Sequence, residues 1–233
     1  MKKVLVIAAH PDDEILGCGG TIIEHKKKGD KVGIIIVSEG ITSRDERRNY
    51  IKRKKEVTEL SKISKNIAKK LKINFIELFS FPDNRLDSVD LLDIVKRIEE
   101  KLLEFKPNII YTHHHNDLNL DHSIVNRAAL TACRPHPKQT VEKILTFEVP
   151  SSTNWNDLSK TSSFFPNHYQ EITNSLKTKI KLLKMYKGEL REWPHARSIK
   201  AIESLARYRG SSVGVKAAEA FQLVRNIKKN ISK

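Results

Sequence analysis

The chain has 233 residues, 39% of them hydrophobic and 30% charged, and a formal net charge of +15. This is the composition of one large or two small folded domains rather than of a disordered chain, and no apolar run approaches the roughly 20 residues needed to span a bilayer. Cys18 and Cys133 lie too far apart for a metal-type spacing or a disulfide framework, and the short apolar run behind two lysines at the start reads as a first strand of a cytoplasmic protein, not a signal sequence.

The run KVLVIAA (3–9) is continuously apolar, as in a strand buried on both faces. A helix is predicted from about Asp13 to Lys28, stopped by Gly29-Asp30, and a second buried strand over 31–40. A long charged helix follows over 43–64, then a strand over 74–81, an amphipathic helix over 86–105, a strand over 108–114 behind Pro107, and a helix over 123–133. This alternation predicts an α/β fold: a Rossmann-like, mostly parallel sheet with helices on both faces. Residues 143–150 read as a further strand and 151–169 as a polar loop or short hairpin; helices follow from Ser175 and Ser198, and 215–227 suits either a last helix or a strand. With no repeat and no linker, residues 1–233 read as one domain, a β/α core (1–133) with a C-terminal extension (134–233) that closes the site.

The basic residues are spread over segments such as EHKKKGDK and NYIKRKKE, as polar helix faces are, rather than gathered in a stripe with aromatics. Nucleic acid is therefore not the expected partner, although the charge leaves room for an anionic substrate group.

Chemistry concentrates at strand ends, where open parallel sheets bind ligands. The first strand runs into AHPDDE and the fourth into THHHNDLNLDH. His10 with one of Asp12 and Asp13 supplies two metal ligands from one turn, and His122, which follows an acid and opens a helix, supplies a third. A His/Asp/His set suits zinc, with an open position for water, and also suits Fe(II). The second aspartate is then free to act as the base that deprotonates that water. Glu14 reads as a helix-starting acid, GCGG (17–20) as close helix packing, and at least one of the three histidines 113–115 as a strand residue.

Together with RKKE (53–56), FPDNRL (81–86) and EWPHARS…RYRG…AEAF (192–221), these motifs resemble the zinc-dependent LmbE-like, or PIG-L, de-N-acetylases over nearly the whole chain. The resemblance implies a Rossmann-like fold and hydrolysis of the N-acetyl group of an N-acetylglucosaminyl unit, releasing acetate. It assigns the metal to His10, Asp13 and His122, the general base to Asp12, contacts with sugar hydroxyls to Arg53 and Asp83, and an orienting role to Asp121. Where many members have H-P-D-H, this chain has N-L-D-H, so the oxyanion role passes to Asn119, whose amide cannot carry charge, or to His195 of WPHARS. The expected partner is a small N-acetylated sugar conjugate, with a homo-oligomer compatible. The rival hypotheses are a metal-dependent amidase for a non-sugar N-acyl substrate and a nucleic-acid-binding protein; the second leaves AHPDDE and NLDH without purpose.

Overall fold

The computed structural model describes residues 1–137, 139–157, 159 and 163–228. Among the described residues, seven strands form one sheet in the order β3-β2-β1-β4-β5-β7-β6. β1 (Lys3–Ala8), β2 (Lys31–Ser38), β3 (Phe75–Phe81), β4 (Ile109–His113) and β5 (Lys143–Phe147) are mutually parallel. β7 (Ala218–Asn226) runs antiparallel to both β5 and β6 (His168–Glu171), so the last strand in the chain lies inside the sheet.

The apolar runs are strands because both faces are covered. Val4, Val6, Ile34 and Ile36 face one core layer, with α1 (Asp13–Lys27), α2 (Tyr50–Lys70), α5 (Leu176–Leu183) and α6 (Ile199–Ser211) contributing to it. Leu5, Ile7, Ile35 and Val37 face the other, packed on α3 (Leu91–Phe105) and α4 (Leu120–Ala132). Burying each such side chain stabilises the fold by about 1.5–3 kcal/mol.

Several predicted elements shift. The helix expected over 43–64 is α2, which begins at Tyr50 behind an Asn49 cap. The residues before it form a short 3-10 turn, Thr42–Arg44, and a loop in which Arg48 grips Glu39 by two hydrogen bonds of 2.8 and 2.9 Å. The helix expected from 86 divides into a turn, Leu86–Ser88, and α3. α4 starts three residues earlier than expected, because Asn119 caps it by accepting from the Asp121 N–H. Residues 215–227 resolve as a strand, and the predicted loop over 151–169 holds a short turn, Thr153–Trp155, and the start of β6. Within that loop, residues 158 and 160–162 lie outside the described residues.

The glycines of GCGG do serve close packing. A Cβ on Gly17 would run into the Phe147 ring, and one on Gly20 would sit 2.6 Å from Ile172. α1 is also pinned by a buried acid. Glu219 of β7 accepts from the Gly20 and Thr21 N–H groups (2.8 and 2.7 Å) and pairs with Lys179 of α5 at 2.7 Å. No helix among the described residues is long and apolar enough to cross a membrane.

Candidate active site

The carboxyl ends of β1 and β4 are adjacent strand ends, and each runs into one of the polar motifs. Asp12 caps α1 in a conformation unusual for a non-glycine residue, φ +118°. The turn is held from both sides: the Asp12 N–H donates to Glu14 Oε2 (3.0 Å), and its carbonyl accepts from the Ile15 and Leu16 N–H groups. Glu14 is thus no simple helix-starting acid. It is 1% exposed, accepts a 2.7 Å hydrogen bond from Tyr186, and burial raises its pKa to about 7. Locking a strained residue in this way is characteristic of functional turns.

His10, Asp13 and His122 meet at the floor of a cleft, each offering one ligand atom within 4.8 Å of the others. His122 Nε2 lies 3.2 Å from Asp13 Oδ2 and 3.3 Å from His10 Nδ1. The far side of each imidazole faces a carboxylate. His10 Nε2 is 3.1 Å from Asp121 Oδ2, and His122 Nδ1 is 3.2 Å from Asp117 Oδ2. If each far nitrogen donates to its carboxylate, both near nitrogens turn lone pairs toward Asp13. Asp13 Oδ1 is buried without a hydrogen-bond partner among the described residues. Three converging lone-pair donors, the two imidazoles oriented from behind, fit a divalent cation of borderline softness.

Asp121 does more than face His10, since it also accepts the Asn84 and Leu86 N–H groups at 2.7 and 3.0 Å. It thereby ties the FPDNRL turn to the floor of the cleft. Asp117, absent from the sequence-based set, is held by Thr153 Oγ1 (2.6 Å) and by the Asn119 N–H (2.9 Å). Its signal was its place in the loop between β4 and α4, on the His122 side of the three-histidine run. His113 is a packing histidine. Its Nε2 accepts the Ala9 N–H at 2.8 Å, its ring stacks on His122 at 3.9 Å, and burial keeps its pKa well below the usual histidine value.

The cleft above this floor is lined by His10, Asp12, Asp83, Asn84 and Asn119, together with Ser43, Arg44, Glu189 and Arg197. Asp83 is placed there as expected, 3.3 Å from His10 Nε2 and accepting the Ser43 N–H at 3.0 Å. Asn119 is present at the rim, its amide donating to Asn84 Oδ1 at 2.8 Å. The structure does not bring Arg53 or His195 to this lining. Arg53 is held on α2 by Asp45 and Glu56. His195 accepts the Arg197 N–H at Nδ1 (2.9 Å) and packs edge-on against Trp155. Arg197 reaches in instead, its Nη1 3.2 Å from Asp12 Oδ2. Burial drives the Asp12 carboxyl well above the usual range, Arg197 opposes that shift, and Asp13 and Glu189 reinforce it.

An open α/β sheet with a buried His/Asp/His cluster at adjacent strand ends, and a further aspartate beside it, has the make-up of a metal-dependent hydrolase. The family comparison is more specific: the PIG-L (GlcNAc-PI de-N-acetylase) model matches residues 5–133, more than half of the chain, and the chain belongs to that family. Among curated relatives, the "Uncharacterized deacetylase YaiS" of Escherichia coli is 29% identical over 193 residues, covering 80% of this chain and 91% of that protein. A Bacillus cereus protein named "Probable N-acetyl-alpha-D-glucosaminyl L-malate deacetylase 2" is 26% identical over 140 residues, covering 59% of this chain and 64% of that one. Among solved structures, the N,N'-diacetylchitobiose deacetylase of Pyrococcus horikoshii superposes with a TM-score of 0.77 at 18% identity, covering 96% of this chain and 84% of that one. The 4-carboxy-2-hydroxymuconate hydratase GalB of Pseudomonas putida KT2440 superposes with a TM-score of 0.76 at 19% identity over the full length of both. Both likenesses show the fold alone, and a hydratase on the same fold means that function must be argued from the site.

Proposed function

We propose that this chain is a zinc-dependent N-deacetylase that removes the acetyl group from an N-acetylated amino sugar or its conjugate. The observation that carries this reading is the convergence of His10, Asp13 and His122 beside an aspartate, Asp12, that lines the cleft without belonging to the donor set. Two imidazoles and one carboxylate would hold zinc, with Fe(II) as the other metal this set accepts. When bound, the ion supplies a Lewis acid for the acyl oxygen and lowers the pKa of water.

The chain's own groups do the rest. Asp12 takes a proton from the attacking water at one carboxylate oxygen, and burial, which raises its proton affinity, strengthens it as a base. It then delivers that proton to the departing nitrogen, giving acetate and a free amine. Asp117 and Asp121 hold His122 and His10 in their metal-facing orientations. Asp83 and Asn119 line the rim, where a sugar's hydroxyls would meet an acceptor and a donor. Despite the net charge of +15, the cleft carries Asp12, Asp83 and Glu189 against Arg44 and Arg197. Both arginines are already paired with these acids, which favours a neutral sugar over an anionic one at this position. The curated relatives include a protein named for deacetylation of a glucosaminyl conjugate, in keeping with that substrate class.

The test is acetate release from a panel of N-acetylglucosaminyl compounds, with N-acyl amino acids as non-sugar controls. Metal-stripped protein and Asp12→Ala should both be inactive, and zinc should restore only the first. Turnover of the amino-acid amides alone would make the chain an amidase of the other class.

A further inference from the structure

Deacylation places a negative charge on the acyl oxygen, and the site must meet it. Neither residue singled out from the sequence does so with charge. The Asn119 amide is neutral and committed at both ends, its Oδ1 to the Asp121 N–H at 3.0 Å and its Nδ2 to Asn84 at 2.8 Å. His195 is absent from the cleft lining and is fixed by the Arg197 N–H and the Trp155 ring.

Arg197 is built differently. Its Nε donates to Ser151 Oγ at 2.7 Å, its Nη1 lies 3.2 Å from Asp12 Oδ2, and its side chain is 20% exposed. The guanidinium is thus held at two points with its plane fixed, while Nη2 has no hydrogen-bond partner among the described residues. The other arginine of the lining, Arg44, is 42% exposed and bound to Glu189 at 2.8 Å.

Resting on the deacetylase reading, we infer that Arg197 and Asp12 work as one unit in which Arg197 is the chain's own cation for the oxyanion. At rest its charge is balanced by the Asp12 carboxylate. When water attacks, an O–H bond breaks and its proton passes to Asp12, a C–O bond forms at the acyl carbon, and the carbonyl π pair moves onto the acyl oxygen. One negative charge has left Asp12 and appeared on the substrate, so Arg197 loses its nearer carboxylate as the oxyanion forms, Glu189 Oε2 remaining 3.9 Å from Nη1. When the adduct collapses, the oxyanion's electron pair re-forms the C=O bond, the C–N bond breaks with its pair going to nitrogen, and nitrogen takes the proton from Asp12; the acetic acid released ionises to acetate and the resting ion pair returns. Nothing need be charged or desolvated anew during the cycle, which is the requirement for preorganised electrostatic catalysis. A neutral Asn119 is then sufficient at the helix cap, because Arg197 supplies the charge.

The experiment compares wild type, Arg197→Ala and Arg197→Lys on an N-acetyl amino sugar that the wild type turns over, with zinc content measured on each. Arg197→Ala should lower kcat by about 100–1000-fold, the loss expected for one oxyanion donor, with KM within about three-fold and zinc unchanged. Added guanidine should restore part of that kcat, and Arg197→Lys should fall between, since an ammonium cannot hold Asp12 and Ser151 together. Binding supplies a second readout: a methylphosphonamidate analogue of the substrate should lose at least about ten-fold more affinity than the amide substrate does. The inference is overturned if kcat falls less than about three-fold, if zinc is lost in parallel with activity, or if guanidine restores nothing and both ligands weaken equally. Should the wild type release no acetate from any compound, the deacetylase reading itself fails, and this inference with it.

Discussion

Asp117→Asn is the substitution that separates orientation of a metal ligand from its mere presence. The carboxylate accepts from four groups: Thr153 Oγ1 at 2.6 Å, the Asn119 N–H at 2.9 Å, His122 Nδ1 at 3.2 Å and Ser152 Oγ at 3.3 Å. An asparagine keeps one oxygen for the Asn119 N–H but turns its NH2 toward Thr153 and His122. Nδ1 must then accept rather than donate, and the imidazole proton moves to Nε2, the atom 3.2 Å from Asp13. One of the three converging lone pairs is lost, although no ligand has been removed. Losing such an outer partner weakens metal binding about 10–100-fold, or about 1.4–2.8 kcal/mol. The assay is zinc titration of the metal-free protein against a chromophoric chelator, with imidazole nitrogen shifts reporting the His122 tautomer. An affinity within two-fold of wild type together with a shifted tautomer would refute the reasoning. Asp117→Ala is less informative, because it also strands the buried Thr153 hydroxyl and the Asn119 N–H, at about 1–3 kcal/mol for each group left unpaired.

Glu14 gives the metal-free protein a pH dependence of definite sign. Its pKa is about 7 in the fold against 4.5 as a free side chain, so the unfolded chain binds fewer protons between those values and stability falls as pH rises through them. Urea midpoints of wild type should therefore drop from pH 4.5 to pH 8 relative to Glu14→Gln, by an amount on the order of 3 kcal/mol. Gly17→Ala should cost about 1–3 kcal/mol by overpacking against Phe147, read as a melting temperature lowered by about 2–4 °C per kcal/mol. Lys179→Met should cost about 3–5 kcal/mol by leaving Glu219 charged and buried, and adding Glu219→Gln should recover part of that loss in the same denaturation assay. Arg53→Ala should leave KM within two-fold of wild type, while Asp83→Ala raises it several-fold in steady-state kinetics.

What could be read from the residues divides along physical lines. β1, β2 and β4 were legible because burial on both faces writes an unbroken apolar run. α2 was misplaced by seven residues because SRDERRN (43–49) carries helix-like charge, while its conformation is set by the Glu39–Arg48 pair, a tertiary contact with no periodic signature. β6 is four residues long, and what makes it a strand is its pairing with β7. β7 was ambiguous because AAEAF mixes good helix formers with a two-residue alternation, and its acid, Glu219, points into the interior to hold α1. His10, Asp13 and His122 were legible as donors because two turns each concentrate costly residues at a strand end, and the structure brings them together. Asp117 lies in the same polar loop, THHHNDLNLDH, where nothing in the residue pattern separates it from its neighbours. Arg197 sits two positions beyond the histidine chosen for the C-terminal motif, and one turn carries both, so spacing could not decide which of them enters the cleft.

The insertion of β7 between β5 and β6 bears on the order in which the protein is made. The three converging donors all lie by His122, whereas the guanidinium on Asp12 comes 185 residues after it and the acid that pins α1 comes 199 residues after Gly20. At about 5–20 residues per second of synthesis, tens of seconds separate the emergence of His10 from that of Glu219. Contacts of such long sequence separation also form late and slowly. The cluster of candidate metal ligands and the full lining of the cleft are therefore completed at separate times in the life of each chain, and α1 is pinned only once the acid of β7 has been made.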